Sequence, residues 1–254
     1  MSTWLDGASV GDGRLPPRTG IAPFETMGAR AGAVPLWDRH LQRLAAAAER
    51  LQLPFAPPAS LRAQAAELLR TNGHTDDVLR LLLLPSGNRV HLVMTTRTRS
   101  PVKVVRLLPT VVVRPAGAPP GDLKAEPRAY YDEVRQQAQD GEADDGIVVG
   151  HDGSVLECAL GTLWLRLDGV WTTPALDGRV LPGIGRALLL ATAAARGAPL
   201  VERACTLGDL HRATALAHGN AVHGVRPASL VGQEAAVAFV DNELGALWRT
   251  ATMG

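Results

Sequence analysis

Apolar and polar positions along the chain change period several times, and each change marks an element. Over residues 20–37, "GIAPFETMGARAGAVPLW", short apolar segments alternate with turn residues. This predicts two strands joined by a hairpin turn at Gly28 to Gly32. The period then lengthens to that of a helix. In "DRHLQRLAAAAERLQL", Leu41, Leu44, Ala48 and Leu51 fall at helical spacing, with Asp38 placed to cap the start and Pro54 to end it. "ASLRAQAAELLRTNG" predicts a second, short helix closed by Gly73. "DDVLRLLLLPSG" and "RVHLVMTTR" read as a strand pair around a Pro-Ser-Gly turn, and "VKVVRLLPTVVV", containing Lys103, as another strand.

The Pro/Gly-rich stretch 113–122, "VRPAGAPPGD", interrupts this order and predicts a boundary: a small N-terminal domain over 1–112, a linker over 113–122 and a C-terminal domain over 123–254. Beyond it come a helix in "PRAYYDEVRQQAQDG", strands in "DDGIVVGHDGSVLE" with a His-Asp-Gly turn, and a hairpin in "TLWLRLDGVWTTP" turning at Asp168-Gly169. A helix follows in "GIGRALLLATAAARG", a shorter one in "LGDLHRATALAHG", and an amphipathic one in "EAAVAFVDNELGALWRTAT". Strand pairs alternating with helices predict an α+β fold rather than a doubly wound parallel sheet.

Composition narrows the class. Apolar residues make up 46% and charged residues 20%, and the formal net charge is +1 with both signs interleaved, so nothing points to nucleic acid or an anionic membrane. Cys158 and Cys205 form no CxxC, which suits a reducing cytosol. The N-terminus lacks the apolar stretch of a signal peptide, and no run approaches the roughly 18 apolar residues of a membrane span. A cytoplasmic protein is expected.

Only two basic side chains, Lys103 and Lys124, are lysine among 26 lysines and arginines. An amine condenses with carbonyl compounds and shuttles protons, whereas guanidinium stays protonated and is not nucleophilic. Lys124 is therefore a candidate for amine chemistry, against the alternative that it survives by chance, as Lys103 does. Glu157 leaves a strand ahead of a loop, as a solvated turn residue or a site carboxylate. "RVLPGIGRALLL" is a Gly-rich turn entering a helix, where the amides of Ile184 and Gly185 face outward at a positive helix terminus. Arg39 and Arg43 share a helix face, and one of them pointing inward could clamp a phosphate. His211, His218 and His223 fit neither HExxH nor a zinc-finger spacing, so no metal is expected.

In their order along the chain these residues resemble the fold-type IV pyridoxal phosphate enzymes, the class IV aminotransferases and aminodeoxychorismate lyases. The resemblance runs through Phe24-Glu25-Thr26, His40 to Leu44, Lys124 heading a helix, Asp152 to Glu157, Thr173-Pro174, Leu181 to Arg186 and Asn220 to Pro227. It implies a two-domain fold, pyridoxal 5'-phosphate as cofactor, a small-molecule substrate and a homodimer. It further implies that Lys124 holds the cofactor covalently and shuttles a proton, and that Glu157 bonds the ring nitrogen. Arg43 with the backbone of Ile184 and Gly185 would bind the phosphate, and Leu181 would pack on the ring. Many relatives have threonine where Gly185 stands, so a hydroxyl contact of about 1.5–3 kcal/mol would be missing here.

Within the family, branched-chain transaminases carry a tyrosine five residues after the lysine. This chain has Arg128 four residues after Lys124, the pattern of the lyases, and an arginine there would stabilise the cofactor's phenolate; Tyr131 could contribute instead or simply pack. The pair Asn220-Ala221, placed with the substrate, also looks lyase-like. The implied reaction converts 4-amino-4-deoxychorismate to 4-aminobenzoate and pyruvate in folate synthesis. A class IV transaminase and a degenerate, non-catalytic relative are the alternatives. The substrate's carboxylates call for cations, and Arg80, Arg89 and Arg97 lie in the strands where relatives place substrate contacts.

Overall fold

The computed structural model describes residues 2–11, 15–101, 103–233 and 240–253, and the chain divides into two compact units. The first unit is Met1–Ser100 together with Leu123–Pro127. It holds β1 (Thr3–Leu5), β2 (Ala8–Gly11), β3 (Ala22–Gly28), α1 (Trp37–Arg50), α2 (Leu61–Thr71), β4 (Val78–Ser86), β5 (Arg89–Arg97) and the short β7 (Ala125–Glu126), in a sheet ordered β2-β1-β5-β4-β3-β7. Alternation decides the faces. Leu79, Leu81 and Leu83 of β4, Met27 of β3 and Met94 of β5 are buried in one core with Leu44 and Ala48 of α1 and Leu61, Ala65, Leu68 and Leu69 of α2. Arg80, between Leu79 and Leu81, is thereby turned to the other face.

Most elements of this unit match the sequence pattern, with two corrections. The predicted hairpin after Gly28 shrinks to one bridge, Arg30 to Ala33, around Ala31 and Gly32 with φ of 46° and 76°. The turn chemistry is that of a tight hairpin, but Pro35 offers no N–H and α1 begins at Trp37, so the second arm has no room to form. The ladder partner of β3 is β4 instead, from Phe24↔Leu82 to Gly28↔Val78. Asp38 does not cap α1. It lies inside the first turn, and the capping position is Leu36 without a side-chain bond. A carboxylate in the first turn still favours the helix through its dipole.

The second unit is Pro101–Asp122 with Arg128–Gly254. Its strands are β6 (Val105–Val111), β8 (Asp145–Val149), β9 (Ser154–Cys158), β10 (Thr162–Leu167), β11 (Val170–Pro174), β12 (Leu200–Arg203), β13 (Cys205–Thr206), β14 (Ala215–Asn220) and β15 (Gly224–Leu230). They form a nine-stranded sheet ordered β12-β11-β10-β14-β15-β6-β8-β9-β13. The pairs β11/β12, β15/β6 and β6/β8 are parallel and the rest antiparallel. The helices are α3 (Ala129–Asp140), α4 (Ile184–Ala195), α5 (Leu207–Arg212) and α6 (Gly245–Met253), the last preceded by a π-helical turn at Val240–Leu244. Asp168 and Gly169, at φ 49° and 81°, make the predicted hairpin turn.

Here the boundary reading is corrected. Residues 105–111 do form a strand, but it pairs with β8 and β15 in the large sheet, so the first unit stops at Ser100 rather than residue 112 and takes back Leu123–Pro127. A strand's own pattern cannot say which sheet completes its ladder. Lys103 lies just before that strand and is exposed. The segment read as a short helix at 207–219 is a helix only to Arg212; Ala215–Asn220 joins β10 and β15. Of the predicted C-terminal helix, residues 234–239 lie outside the described residues. No helix among the described residues is long and apolar enough to cross a membrane.

Close approach of α3 to β8 fixes one glycine. A Cβ on Gly146 would stand 2.5 Å from Val134 Cγ1 and 2.7 Å from Val134 O. Gly146→Ala is expected to lower stability in urea unfolding by about 1–3 kcal/mol. Gly208→Ala, in open helix surroundings, is expected to be neutral or stabilising by up to about 1 kcal/mol.

Candidate active site

The residues singled out in the sequence form two sets, one in each unit. In the first unit Lys124 does not head a helix, as the sequence suggested; α3 begins at Ala129. It sits where the chain joins the edge of β3, with Ala22↔Glu126 and Pro23↔Ala125 in register and the Phe24 N–H donating to Lys124 O at 3.0 Å. Leu123 and Ala125 on either side are buried with Ala47, Ile21 and Leu51. Backbone pairing and two buried neighbours thus fix a segment too short to hold its own conformation. Lys124 Nζ lies 4.7 Å from the centre of the Phe24 ring. The Arg80 guanidinium stands 4.0 Å from the same ring centre and binds Glu126 at 2.5 Å.

Arg43 is the inward arginine of α1, and Arg39 is exposed. Arg43 Nε and Nη2 each donate to Glu25 at 2.7 Å, and His40 Nδ1 is 2.7 Å from the same carboxylate. Glu25 is only 1% exposed. Burial by itself would raise its pKa, but the charge and hydrogen bonds of Arg43, then those of His40, bring it down to about 2. Burial pushes His40 the other way, below its ordinary value, against the pull of Glu25. Arg97 and Arg89 close the two ends of β5 and are both exposed, and Arg80 shares the Phe24 ring with Lys124.

In the second unit Glu157 lies at the end of β9 and is 6% exposed. The Tyr131 hydroxyl donates to its Oε1 at 2.7 Å and the Leu181 N–H to its Oε2 at 3.2 Å. Arg128, capping α3, donates to Ala159 O at 3.0 Å, and its guanidinium lies 4.9 Å from the Tyr131 ring centre. Ile184 and Gly185 open α4 after Gly183, which is extended at φ −64°, ψ 133°. Gly185 has a reason beyond the backbone: a Cβ there would stand 3.1 Å from Trp248 Cζ3. Asn220 accepts from the Val222 and His223 amides at 3.1 and 2.9 Å and donates to Leu160 O at 3.1 Å, which ties the turn carrying half-buried Ala221 to the loop after Glu157.

Three features escaped the sequence reading. Arg114, within the stretch taken as a spacer, donates to the Tyr131 hydroxyl at 3.3 Å and stacks 4.1 Å from the Tyr130 ring centre. Trp248 comes from the far end of the chain. Asp145, Cys158 and His218 meet in the interior with their ligand-type atoms within 4.8 Å of one another. His218 Nε2 is 3.1 Å from Asp145, and Arg226 lies 3.3 Å from Nδ1. Arginine can only donate, so Nδ1 is the acceptor and Nε2 carries the proton toward Asp145. Asp145 also accepts from the Gly146 and Leu160 amides. The cluster is a hydrogen-bonded network that pins the loop after Glu157.

The sequence model of amino-transferase class IV matches residues 22–231. No curated protein sequence matches the chain. Among solved structures the chain is similar to a 4-amino-4-deoxychorismate lyase from Pseudomonas aeruginosa, at 24% identity over 98% of each chain with a TM-score of 0.78. It is similar to a branched-chain aminotransferase from Thermoproteus uzoniensis, at 20% identity over 100% of this chain and 95% of that one, TM-score 0.83. It is also similar to the PLP-bound form of a hypothetical aminotransferase from Mycobacterium tuberculosis, at 23% identity over 99% of each chain, TM-score 0.79. At these identities the likeness establishes the fold.

The depressed pKa of Glu25 carries a consequence for acid stability. Its contribution is full above the unfolded value of 4.5 and is lost as pH falls through about 2, on the order of 3 kcal/mol. Glu25→Gln is expected to cost about 3 kcal/mol at pH 7 by removing the buried anion that Arg43 and His40 bind, and to make the slope below pH 4.5 in urea unfolding shallower by Glu25's share. His40, also lowered, acts in the same direction at higher pH, so the variant keeps its slope near pH 6.

Proposed function

Because the chain belongs to the amino-transferase class IV family, we propose that it is a pyridoxal phosphate enzyme and, within that family, a 4-amino-4-deoxychorismate lyase. The residues present suit the cofactor. Lys124 offers an amine beside an aromatic face, and Glu157 a buried carboxylate for a ring N–H. Ile184 and Gly185 offer helix N-terminal amides, and Arg43 a guanidinium, for a phosphate. Leu181 borders Glu157 through its own N–H, next to the expected ring face. When bound, pyridoxal phosphate supplies an aldehyde that an amine captures and a ring that takes up the electron pair left by a departing proton.

Within the family, the observation that carries the lyase reading is Arg128. It stands four residues after Lys124, its guanidinium is held by Ala159 O and the Tyr131 ring, and the fifth position is Ala129 rather than tyrosine. Lys124 takes the proton from C4 of the substrate. The bond from C3 to the enolpyruvyl oxygen then breaks, the ring becomes aromatic as 4-aminobenzoate, and protonation of the departing enolate gives pyruvate. Arg80 is the candidate for a substrate carboxylate, exchanging its Glu126 partner for the substrate's; Arg97 and the Asn220-Ala221 turn are secondary candidates.

Purified protein supplied with pyridoxal phosphate and 4-amino-4-deoxychorismate, without any keto acid, is expected to release 4-aminobenzoate, followed by its fluorescence. Lys124→Arg keeps the charge but not the nucleophile, and its turnover is expected to fall to background. Turnover of Lys124→Arg at the wild-type rate would remove the central assignment. A cofactor-loaded protein that makes no 4-aminobenzoate but converts branched-chain or D-amino acids in the presence of a keto acid would be a transaminase.

A further inference from the structure

We propose that Tyr131, oriented by Arg114, is a positioning residue that sets how Glu157 holds the ring nitrogen of the cofactor. The inference rests on the assignment of Glu157 made above. Tyr131 sits on α3 with its ring half-buried against the cluster of Tyr130, Val134, Val148, Leu156, Ala159 and Val180. A buried tyrosine hydroxyl takes a hydrogen-bond partner. This one points it at a carboxylate, 2.7 Å from Glu157 Oε1.

The direction of each bond is fixed by the partners. Ionised Glu157 can only accept, so Tyr131 donates. Arg114 can only donate, so the same hydroxyl oxygen accepts from it at 3.3 Å. Arg114 is itself held twice, by Pro119 O at 2.8 Å and by stacking 4.1 Å from the Tyr130 ring centre. Burial, and after it the charge of Glu157, pushes the Tyr131 hydroxyl well above its ordinary pKa, so it remains a donor at every working pH. The second carboxylate oxygen takes the Leu181 N–H. One side-chain O–H and one amide therefore fix the plane of the carboxylate before a ring N–H arrives, which is the condition for preorganised electrostatics.

The same two donors occupy both carboxylate oxygens and hold their direction. A carboxylate so restrained is aimed at a ring N–H before the ring binds. Without the Tyr131 hydroxyl, Glu157 is less well aimed. A poorly aimed carboxylate holds the ring N–H less firmly, so the ring nitrogen loses its proton more readily, and the groups conjugated with that ring become more basic.

The test compares pyridoxal phosphate with its 1-deaza analogue, in which carbon replaces the ring nitrogen and no bond to Glu157 is available. Tyr131→Phe, which acts on the cofactor only through Glu157, is expected to weaken pyridoxal phosphate binding about 5- to 15-fold, less than the full worth of a hydrogen bond to a charged group, and to leave affinity for the analogue within about twofold. The pH midpoint of the bound cofactor's visible absorbance is expected to rise by about half a unit or more in Tyr131→Phe, and to stay put with the analogue. Arg114→Gln, which leaves the tyrosine in place, is expected to act in the same sense at about 2- to 5-fold. Equal weakening of both ligands would assign Tyr131 to packing and overturn the proposal, as would unchanged binding of both. Glu157→Gln run alongside separates the premise from the inference: if it too fails to distinguish the two ligands, the assignment of Glu157 falls first.

Discussion

A buried carboxylate cannot be left alone, and in this chain that constraint organises both units. Glu25, Asp145 and Glu157 are each 6% exposed or less. An ionised group so placed needs opposite charge or several donors, because desolvation costs several kcal/mol otherwise. Glu25 draws in Arg43 and His40 and so locks α1 onto β3. Asp145 draws in His218 and the amides of Gly146 and Leu160, which ties β14 to β8 and closes the loop after β9. Glu157 draws in Tyr131 from α3 and the amide of Leu181 from the approach to α4. Each acid recruits groups from elements distant in sequence, so satisfying the acids and placing the candidate catalytic groups are the same act.

Lys124 is positioned by another route. It stands immediately before β7, a strand two residues long. Its rigidity is borrowed from β3 through a backbone bond and from buried Leu123 and Ala125. Arg80 clamps Glu126 two residues on while lying over the Phe24 ring that also faces Lys124. Phe24 thus serves three tasks: its amide fixes the lysine's backbone, and its ring both flanks the amine and seats the arginine. The Phe-Glu-Thr triplet is compact because Glu25, pointing to the opposite face, holds Arg43 at the same time.

Long elements were legible because their period is a local property. The helices 37–50 and 129–140 and the hairpins at 78–97 and 162–174 follow from spacing and turn residues alone. What the sequence hid depends on partners far along the chain. The pattern of 105–111 announces a strand, yet only β8 and β15 decide its sheet, and with it where the first unit ends. Residues 215–220 lack a strand's alternation because all but Asn220 are buried, so their continuous apolar and small character passed for a helix. Among the site residues, Lys124, Glu157 and Arg43 stand out by residue type in context. Arg114 does not, because a proline- and glycine-rich neighbourhood reads as a spacer whatever its one arginine touches. At Gly185 the sequence shows only a missing hydroxyl, because Trp248, which fills the space a side chain there would need, lies more than sixty residues away along the chain.

The bias toward arginine now has a structural reading. Arg43 binds Glu25 through two nitrogens at once, Arg80 lies on Phe24, Arg114 on Tyr130 and Arg128 on Tyr131. All four uses exploit a planar, permanently charged fork that stacks and donates in fixed directions. A lysine would serve each of them poorly. Lys124 faces the same Phe24 ring as Arg80, so an arginine there could stack equally well. Stacking therefore does not account for the lysine. What separates the two side chains at that position is nucleophilicity: an amine that can lose its proton attacks an aldehyde, and a guanidinium does not. The exposed Lys103, ahead of β6, carries no such argument, so of the two lysines Lys124 is the one for which the proposed chemistry requires an amine.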